Sequence, residues 1–344
     1  MSEVKTTVTP AGFLNVNKPA GITSHDVVAR LRKWTRIKRI GHAGTLDPDA
    51  TGVLPIAIGS ACRLISHLPQ GNKIYLAEIL LGTKTSTDDI SGIVLEQKKL
   101  TGCITQENIS TTIKDFIGTS EQTPPLYSAI KYKGQRLYQL ARAKDFASND
   151  SDVQLVSKLS GKLTEMLSAI KQRTINIDRI DLLNVQLPVI TLRIVCSAGT
   201  YIRSLARDLG EALGCGACLK SLCREQSNSF TIDQSTDIAI IESRIKAGEL
   251  SELLISLDKA LDLEKIELGR DAAITISKGQ YAELDTVLKA DQIDDFSSTQ
   301  KWLAVYKNEV DGRTAIIPIA LVEIQENEQI KPFMVFMHAN ELLI

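Results

Sequence analysis

Apolar and polar positions along this chain alternate with two different periods, and the switches between them mark out its elements. Residues 12–16 read as a short strand and residues 17–21 as a turn. Val27, Val28, Leu31 and Trp34 then recur at helical spacing behind Thr23 and Ser24, either of which can cap a helix. Residues 73–81 alternate with period two and put Tyr75, Ala77, Ile79 and Leu81 on one face of a strand. Residues 101–118 turn helical from Glu107 onward. Val156, Leu159, Leu163, Met166, Leu167 and Ile170 form another helical stripe, interrupted by Gly161, inside an excursion over residues 145–173. Residues 188–196 alternate again, with Ile190, Leu192, Ile194 and Cys196 on one face. They lead to Thr200, read as the N-cap of a helix that ends at Gly214 and carries Tyr201 and Arg203 in its first turn. Past Leu263 the pattern becomes strand-like. Residues 302–310 and 314–324 flank Asp311-Gly312, a hairpin signal, and residues 331–337 form a further strand.

This pattern predicts an α+β chain, and its 344 residues leave room for two domains. A hydrophobic fraction of 43% with mixed charges is that of a globular protein. The N-terminal residues are polar and unlike a signal peptide, and the apolar run over residues 315–322 is too short to span a bilayer. Six cysteines without a secretory signal read as reduced thiols, so the cytoplasm is the expected compartment. The net charge of −1 conceals a division, because residues 1–231 are net basic and residues 232–344 net acidic. A basic front suits a polyanionic partner.

Arg30, Arg32, Lys33, Arg36, Lys38 and Arg39 line the outer face and exit of the first helix. They lead into residues 41–59, GHAGTLDPDATGVLPIAIG, where four glycines and two prolines surround Asp47, a carboxylate that reads as buried. Taken alone, such a cluster is most simply a tight structural turn. Further on, Tyr127, Tyr132 and Tyr138 interleave with Lys131, Lys133, Arg136, Arg142 and Lys144. That alternation suits phosphate contact combined with packing on bases or sugars, although any one tyrosine serves equally well as core. Arg203 at a helix start opposes the helix dipole, which calls for an anion beside it.

Several familiar constellations fail. Cys215 and Cys218, followed by Cys223, lack a fourth ligand, and His25, His42, His67 and His338 are scattered, so no metal is expected. The Asp47 loop lacks the lysine of a phosphate-binding loop, and no dinucleotide-binding glycine fingerprint opens a helix.

Four segments taken together resemble the TruB-type tRNA pseudouridine synthases: residues 18–28 (KPAGITSHDVV), 41–55 (GHAGTLDPDATGVLP), 124–142 (PPLYSAIKYKGQRLYQLAR) and 196–217 (CSAGTYIRSLARDLGEALGCGA). They stand in the family's order and spacing, and the similarity runs from about residue 12 to residue 231. The resemblance implies a mixed, mainly antiparallel sheet flanked by helices. Residues 1–262 would form the catalytic domain, with an unusual insertion near 145–173, and residues 263–344 a small β-rich PUA-like domain. It implies Asp47 as the catalytic aspartate, Arg203 as its partner, and Tyr75 as the ring that packs on the target base. His42, Tyr201 and Leu222 match positions that hold the RNA loop or line the pocket, whereas Lys18 matches a structural position. Ser86 stands where the family commonly has an acidic residue, while Asp89 keeps the regular acidic place. The expected partner is the T-arm of tRNA, the expected state a monomer, and no cofactor is implied. The insertion would extend the surface that meets the tRNA arm.

The implied reaction converts uridine-55 of tRNA to pseudouridine. It breaks the C1′–N1 bond, turns the uracil and joins C1′ to C5, with no redox change and no net hydrolysis. One ionised carboxylate is sufficient for such chemistry, as nucleophile or as base. Two other readings compete. One is an RNA-binding, tRNA-folding chaperone with catalysis secondary. The other is a carbohydrate enzyme pairing Asp47 with a second carboxylate such as Asp89, which leaves the basic tyrosine-rich surface unexplained.

Overall fold

The computed structural model describes residues 10–69, 71–100, 102, 104–125, 131–132, 135–136, 171–290, 301–310, 313–325 and 327–336. The helical stripe expected from Val156 to Ile170, the Asp311-Gly312 turn and most of the basic tyrosine segment lie outside these residues.

A ten-stranded sheet forms the larger part. Its main path runs Thr236–Asp237, Gly12–Lys18, Thr51–Ile58, Ala217–Ser227, Lys73–Leu81, Val189–Cys196, Arg173–Gln186 and Gly118–Gln122. Neighbours are antiparallel except at the first pair and between Thr51–Ile58 and Ala217–Ser227. This is the mixed, mainly antiparallel sheet expected.

The Lys73–Leu81 strand is central, and its alternate residues Tyr75, Ala77, Ile79 and Leu81 are buried as their spacing predicts. They pack with Ile190, Leu192 and Ile194 under Leu205, Ala206 and Leu209 of the Ile202–Ala212 helix and Ile109 and Ile113 of the Gln106–Lys114 helix. A second core gathers Leu14, Val16, Leu54, Ile56 and Ile58 against Val27, Val28 and Leu31 of the Ser24–Thr35 helix. Thr23 caps that helix. Its hydroxyl accepts from the Asp26 amide at 3.0 Å while Asp26 accepts from the Thr23 amide at 2.9 Å, a reciprocal capping box.

Thr200 does not cap the second site-bearing helix. Its hydroxyl donates back to the Ser197 carbonyl at 3.0 Å, and Tyr201 takes the capping position, so only Arg203 of the expected pair lies in the first turn. The helix stops at Ala212, and Gly214, at φ +70°, turns the chain.

A six-stranded sheet follows in the order Ala282–Glu283, Gln329–Val335, Arg313–Ile324, Lys301–Val310, Lys265–Leu268 and Val287–Ala290. It is the β-rich PUA-like unit expected, built around Trp302, Ile319, Val322 and Ile330. One apolar cluster contains residues from both sheets, with Phe13, Val53 and Leu64 packed among Leu303, Val305, Leu321 and Phe336. No helix among the described residues is long and apolar enough to cross a membrane.

Gly52 sits where this architecture leaves least room. It lies opposite Lys18 on one neighbouring strand and Arg224 on the other, at φ +97°. A Cβ there would fall 2.3 Å from the Arg224 carbonyl oxygen. Both the positive φ and the close backbone demand glycine. Gly52→Ala is therefore expected to destabilise the fold by at least about 1 kcal/mol in urea unfolding, against the small gain Ala gives at a relaxed glycine.

Candidate active site

The Asp47 loop leaves the short Ile40–His42 strand and re-enters the sheet at Thr51. Its two ends are therefore fixed in the sheet, and its middle is held by side chains from three directions. Ser24, in the first helical turn, donates to the Leu46 carbonyl at 3.1 Å and accepts from the Leu46 amide at 2.9 Å. Lys18 is fully buried and spends its ammonium on three carbonyls, those of Pro19 at 2.9 Å, Ile22 at 2.8 Å and Pro48 at 2.8 Å. Burial lowers its pKa to about 8 against the pull of Asp49 and Asp47, so it remains charged at neutral pH. The structural role expected of Lys18 is what its geometry gives it.

Arg224 acts from the far side. Its guanidinium is buried beneath the loop and donates to the carbonyls of Val53 at 2.8 Å, Gly44 at 3.2 Å and Thr45 at 3.4 Å. Five residues in and beside the loop, Gly44, Thr45, Leu46, Pro48 and Val53, thus have their backbone bonded to side chains outside it. The sequence does not single out Arg224. The one signal it offers is a place two residues beyond Leu222, on what is a strand.

Held in this way, Asp47 points its carboxylate at Arg203, with Oδ2 2.9 Å from Nε. The arginine is buried, its side chain 7% exposed, whereas the Asp47 side chain is 43% exposed. The expectation of a buried aspartate is therefore corrected. Glycines and Pro48 shape the loop so that the carboxylate stands at its open side, with the cation behind it. Arg203 also donates from Nη1 to the Thr87 carbonyl at 3.2 Å and lies 3.5 Å from Asp89 Oδ2. The anion that a cation at this helix start called for is present twice.

Asp89 is itself anchored. Its Oδ1 accepts from Thr87 Oγ1 at 2.7 Å, the Ser91 amide at 3.0 Å and Ser91 Oγ at 2.5 Å. Ser86, at the position where an acidic residue was expected, instead closes the loop. Its amide donates to the Ile93 carbonyl, and its hydroxyl accepts from the Ile93 amide.

The remaining expected residues gather around this pair to different degrees. Tyr75 lies opposite Arg224 in strand register and is 9% exposed. Burial raises its phenol pKa, opposed by Arg224. His42 stands at the start of the loop, partly buried, with a pKa lowered by burial and then by Arg224. Its Nδ1 has no hydrogen-bond partner among the described residues. Leu222 is opposite Ala77 in register and packs against both principal cores, so it lies at their seam. Tyr201 is fixed through its backbone, its amide donating to Gln122 at 2.9 Å and its carbonyl accepting at 3.1 Å, while Arg173 covers its ring at 5.2 Å. Asp47 and Arg203 touch directly. Tyr75 and His42 are joined to them through the Arg224-pinned loop, and Tyr201 through the helix start.

The chemistry open to this arrangement is limited and definite. A single accessible carboxylate, with a buried guanidinium behind it, can act as nucleophile or base on one side only.

The model of the TruB family pseudouridylate synthase N-terminal domain matches residues 32–202. The tRNA pseudouridine synthase B of Dehalococcoides mccartyi is 40% identical over 302 residues, covering 88% of this chain and 93% of its own. Its counterpart in Thermosipho melanesiensis is 40% identical over 286 residues, covering 83% and 84%. Among solved structures, a chain of a Cbf5-Nop10-Gar1 complex superposes with a TM-score of 0.64 over 96% of this chain and 86% of that one. At 23% identity that likeness speaks for the fold alone. Sequence identity over most of its length shows that the chain belongs to the TruB family of pseudouridine synthases.

Proposed function

We propose that this enzyme isomerises uridine-55 in the T loop of tRNA to pseudouridine, with Asp47 as the catalytic group acting on a base turned out of the RNA stack. The observation that carries the proposal is the half-exposed Asp47 carboxylate, 2.9 Å from a buried Arg203, on a loop whose backbone is pinned by Lys18 and Arg224. The relatives at 40% identity are tRNA pseudouridine synthases, which supports tRNA as the substrate.

Asp47 meets the demand common to every route for this reaction. Attack on C1′, attack on the uracil ring and removal of a sugar proton all need an ionised carboxylate that the substrate can reach. Arg203 occupies the inner side of the carboxylate, so the outer side remains for the nucleotide. A base stacked in a folded arm must first be extruded, at a cost of a few kcal/mol. Stacking on Tyr75 would return about 1–3 kcal/mol of it. We assign Leu222 and Tyr201 to the walls of the same pocket. His42 Nδ1, which has no partner among the described residues, is available to the RNA.

Arg30, Lys33, Arg36, Lys38 and Arg39 are exposed, and none takes part in an ion pair among the described residues. We assign them to phosphates of the tRNA. Residues 263–344 form the PUA-like unit in this reading, the protein acts as a monomer, and the cytoplasm, where tRNA resides, is its compartment.

Asp47→Asn is expected to keep tRNA binding and abolish isomerisation. Arg203 would retain Asp89 and the Thr87 carbonyl, so the substitution does not strand a buried charge. Turnover near that of the wild type on an unmodified transcript, with pseudouridine mapped in the T arm, would remove Asp47 from the catalytic role. Replacing Lys33, Arg36 and Lys38 with glutamine should weaken binding of all tRNAs alike. It should also flatten the slope of log affinity against log salt by roughly 0.7–0.9 for each phosphate no longer neutralised. An unchanged slope would place the phosphates elsewhere.

A further inference from the structure

One helical turn beyond Arg203, on the same helix, stands a second ion pair, both of its members largely buried, that the reaction itself does not use. Arg207 Nη1 lies 2.9 Å from Asp88 Oδ2, and both side chains are 16% exposed. The same guanidinium donates from Nη2 to the Thr123 carbonyl at 3.0 Å and from Nε to Asp208 at 2.8 Å. Ser204 adds a second donor to the Thr123 carbonyl, at 2.9 Å.

These bonds join three parts of the site. Asp88 lies between Thr87, whose carbonyl receives Arg203, and Asp89, whose carboxylate faces the same guanidinium. Its backbone is set at φ +60°, and its carbonyl accepts from the Leu219 amide at 2.9 Å. Thr123, on the other side, begins the stretch that leads into the basic tyrosine segment. Arg207 therefore ties the acidic loop and the root of that segment to the helix that carries Arg203.

We propose that Asp88 and Arg207 are positioning residues, a link that keeps the Thr87–Asp89 loop in register with Arg203 so that Arg203 presents Asp47 in its reactive orientation. This rests on the proposed role of Asp47. Removal of the Asp88 charge leaves Arg207 able to pull away, and the loop that holds two of Arg203's acceptors is no longer braced from behind.

The link is sensitive to protons. Burial pushes the Asp88 carboxyl up to about 6, against the pull of Arg207 and Arg203 and with a further push from Asp208. Cys218, whose thiol burial raises to about 11 with a further push from Asp89 and Asp88, stands beside it, and Glu211, one turn on in the Arg207 helix, adds its negative charge to Asp208. The sign is opposite for stability and for activity. A carboxyl raised from 3.8 to about 6 in the fold contributes stability below 3.8, and that contribution is lost as pH rises through about 6. The brace on Arg203, by contrast, is present above about 6 and lost below it. A fall in turnover on acidification without a fall in melting temperature is thus the mark of positioning rather than of unfolding.

The test compares the full-length wild type with Asp88→Asn and Arg207→Lys on an unmodified tRNA transcript, reading kcat and KM from about pH 5 to about pH 8, the span that brackets the Asp88 titration. Asp88→Asn should lower kcat roughly ten- to hundredfold on the alkaline side of that span, the size expected for a lost charge-assisted bond, and leave KM nearly unchanged. Its kcat should also lose the wild-type decline near about 6. His42, whose pKa burial lowers, is common to both proteins, so the difference between the two profiles decides, not the wild-type profile alone. Superimposable profiles, or an equal kcat on the alkaline side, would overturn the proposal. Should Asp88→Asn fail to fold in a thermal melt, Arg207→Lys carries the test. Its point charge cannot hold both Asp88 and Thr123, so the acid decline must move to higher pH, and an unmoved decline overturns the link. Activity of Asp47→Asn would instead sink the catalytic assignment, and that outcome is separate from either profile.

Discussion

A guanidinium taken out of water must find acceptors, and here those acceptors are what shape the site. Arg224 finds its own in the backbone of the Asp47 loop and the strand that follows, at Gly44, Thr45 and Val53, and the fully buried Lys18 finds one at Pro48. A loop of glycines and prolines has few side chains with which to hold itself. Its carbonyls, however, point at two buried cations, of which Arg224 is bonded to three of these carbonyls and Lys18 to one, in addition to those of Pro19 and Ile22. Moving the loop would leave buried charges unmet, at a cost far above that of an ordinary loop displacement. The costly burial of Lys18 and Arg224 is therefore what makes the placement of Asp47 rigid.

Arg203 extends the same logic to the carboxylate itself. It is more buried than either of its acidic partners and shares itself between Asp47, Asp89 and the Thr87 carbonyl. Exposed ion pairs contribute little because water competes with both members. Here water reaches only one member. The asymmetry leaves the outer side of Asp47 open to a substrate while its inner side is fixed. A carboxylate buried as deeply as Arg203 would be fixed equally well and could not be reached.

Much of this is legible in the sequence because the deciding features are local. The period-two pattern of residues 73–81 places Tyr75 on the buried face without reference to any other element. The Thr23–Asp26 capping box, the Ser24–Thr35 helix and the hairpin strands near the C-terminal end depend on neighbours in the chain. Other elements are hidden because they depend on distant partners. The Thr51–Ile58 strand is an apolar run with no alternation, since both of its faces are covered. Bulges in Arg173–Gln186 and Ala217–Ser227 break the period that would reveal them. The exposure of Asp47 is misread from sequence for a related reason. Glycine and proline around an acidic residue report how tightly the loop turns, not which side of it faces solvent.

Arg224 is the support that sequence reading misses, and its case sets a boundary on such reading. Nothing near it in the chain distinguishes it from Arg193, which forms a half-exposed pair with Glu225. What separates the two is the strand opposite. Arg193 meets Leu76 and keeps its side chain at the surface, whereas Arg224 meets Gly52, whose missing side chain lets the two backbones come together. The glycine is visible in the sequence and so is the arginine. Their pairing is a property of the sheet, and only the sheet turns an ordinary basic residue into the support of the Asp47 loop.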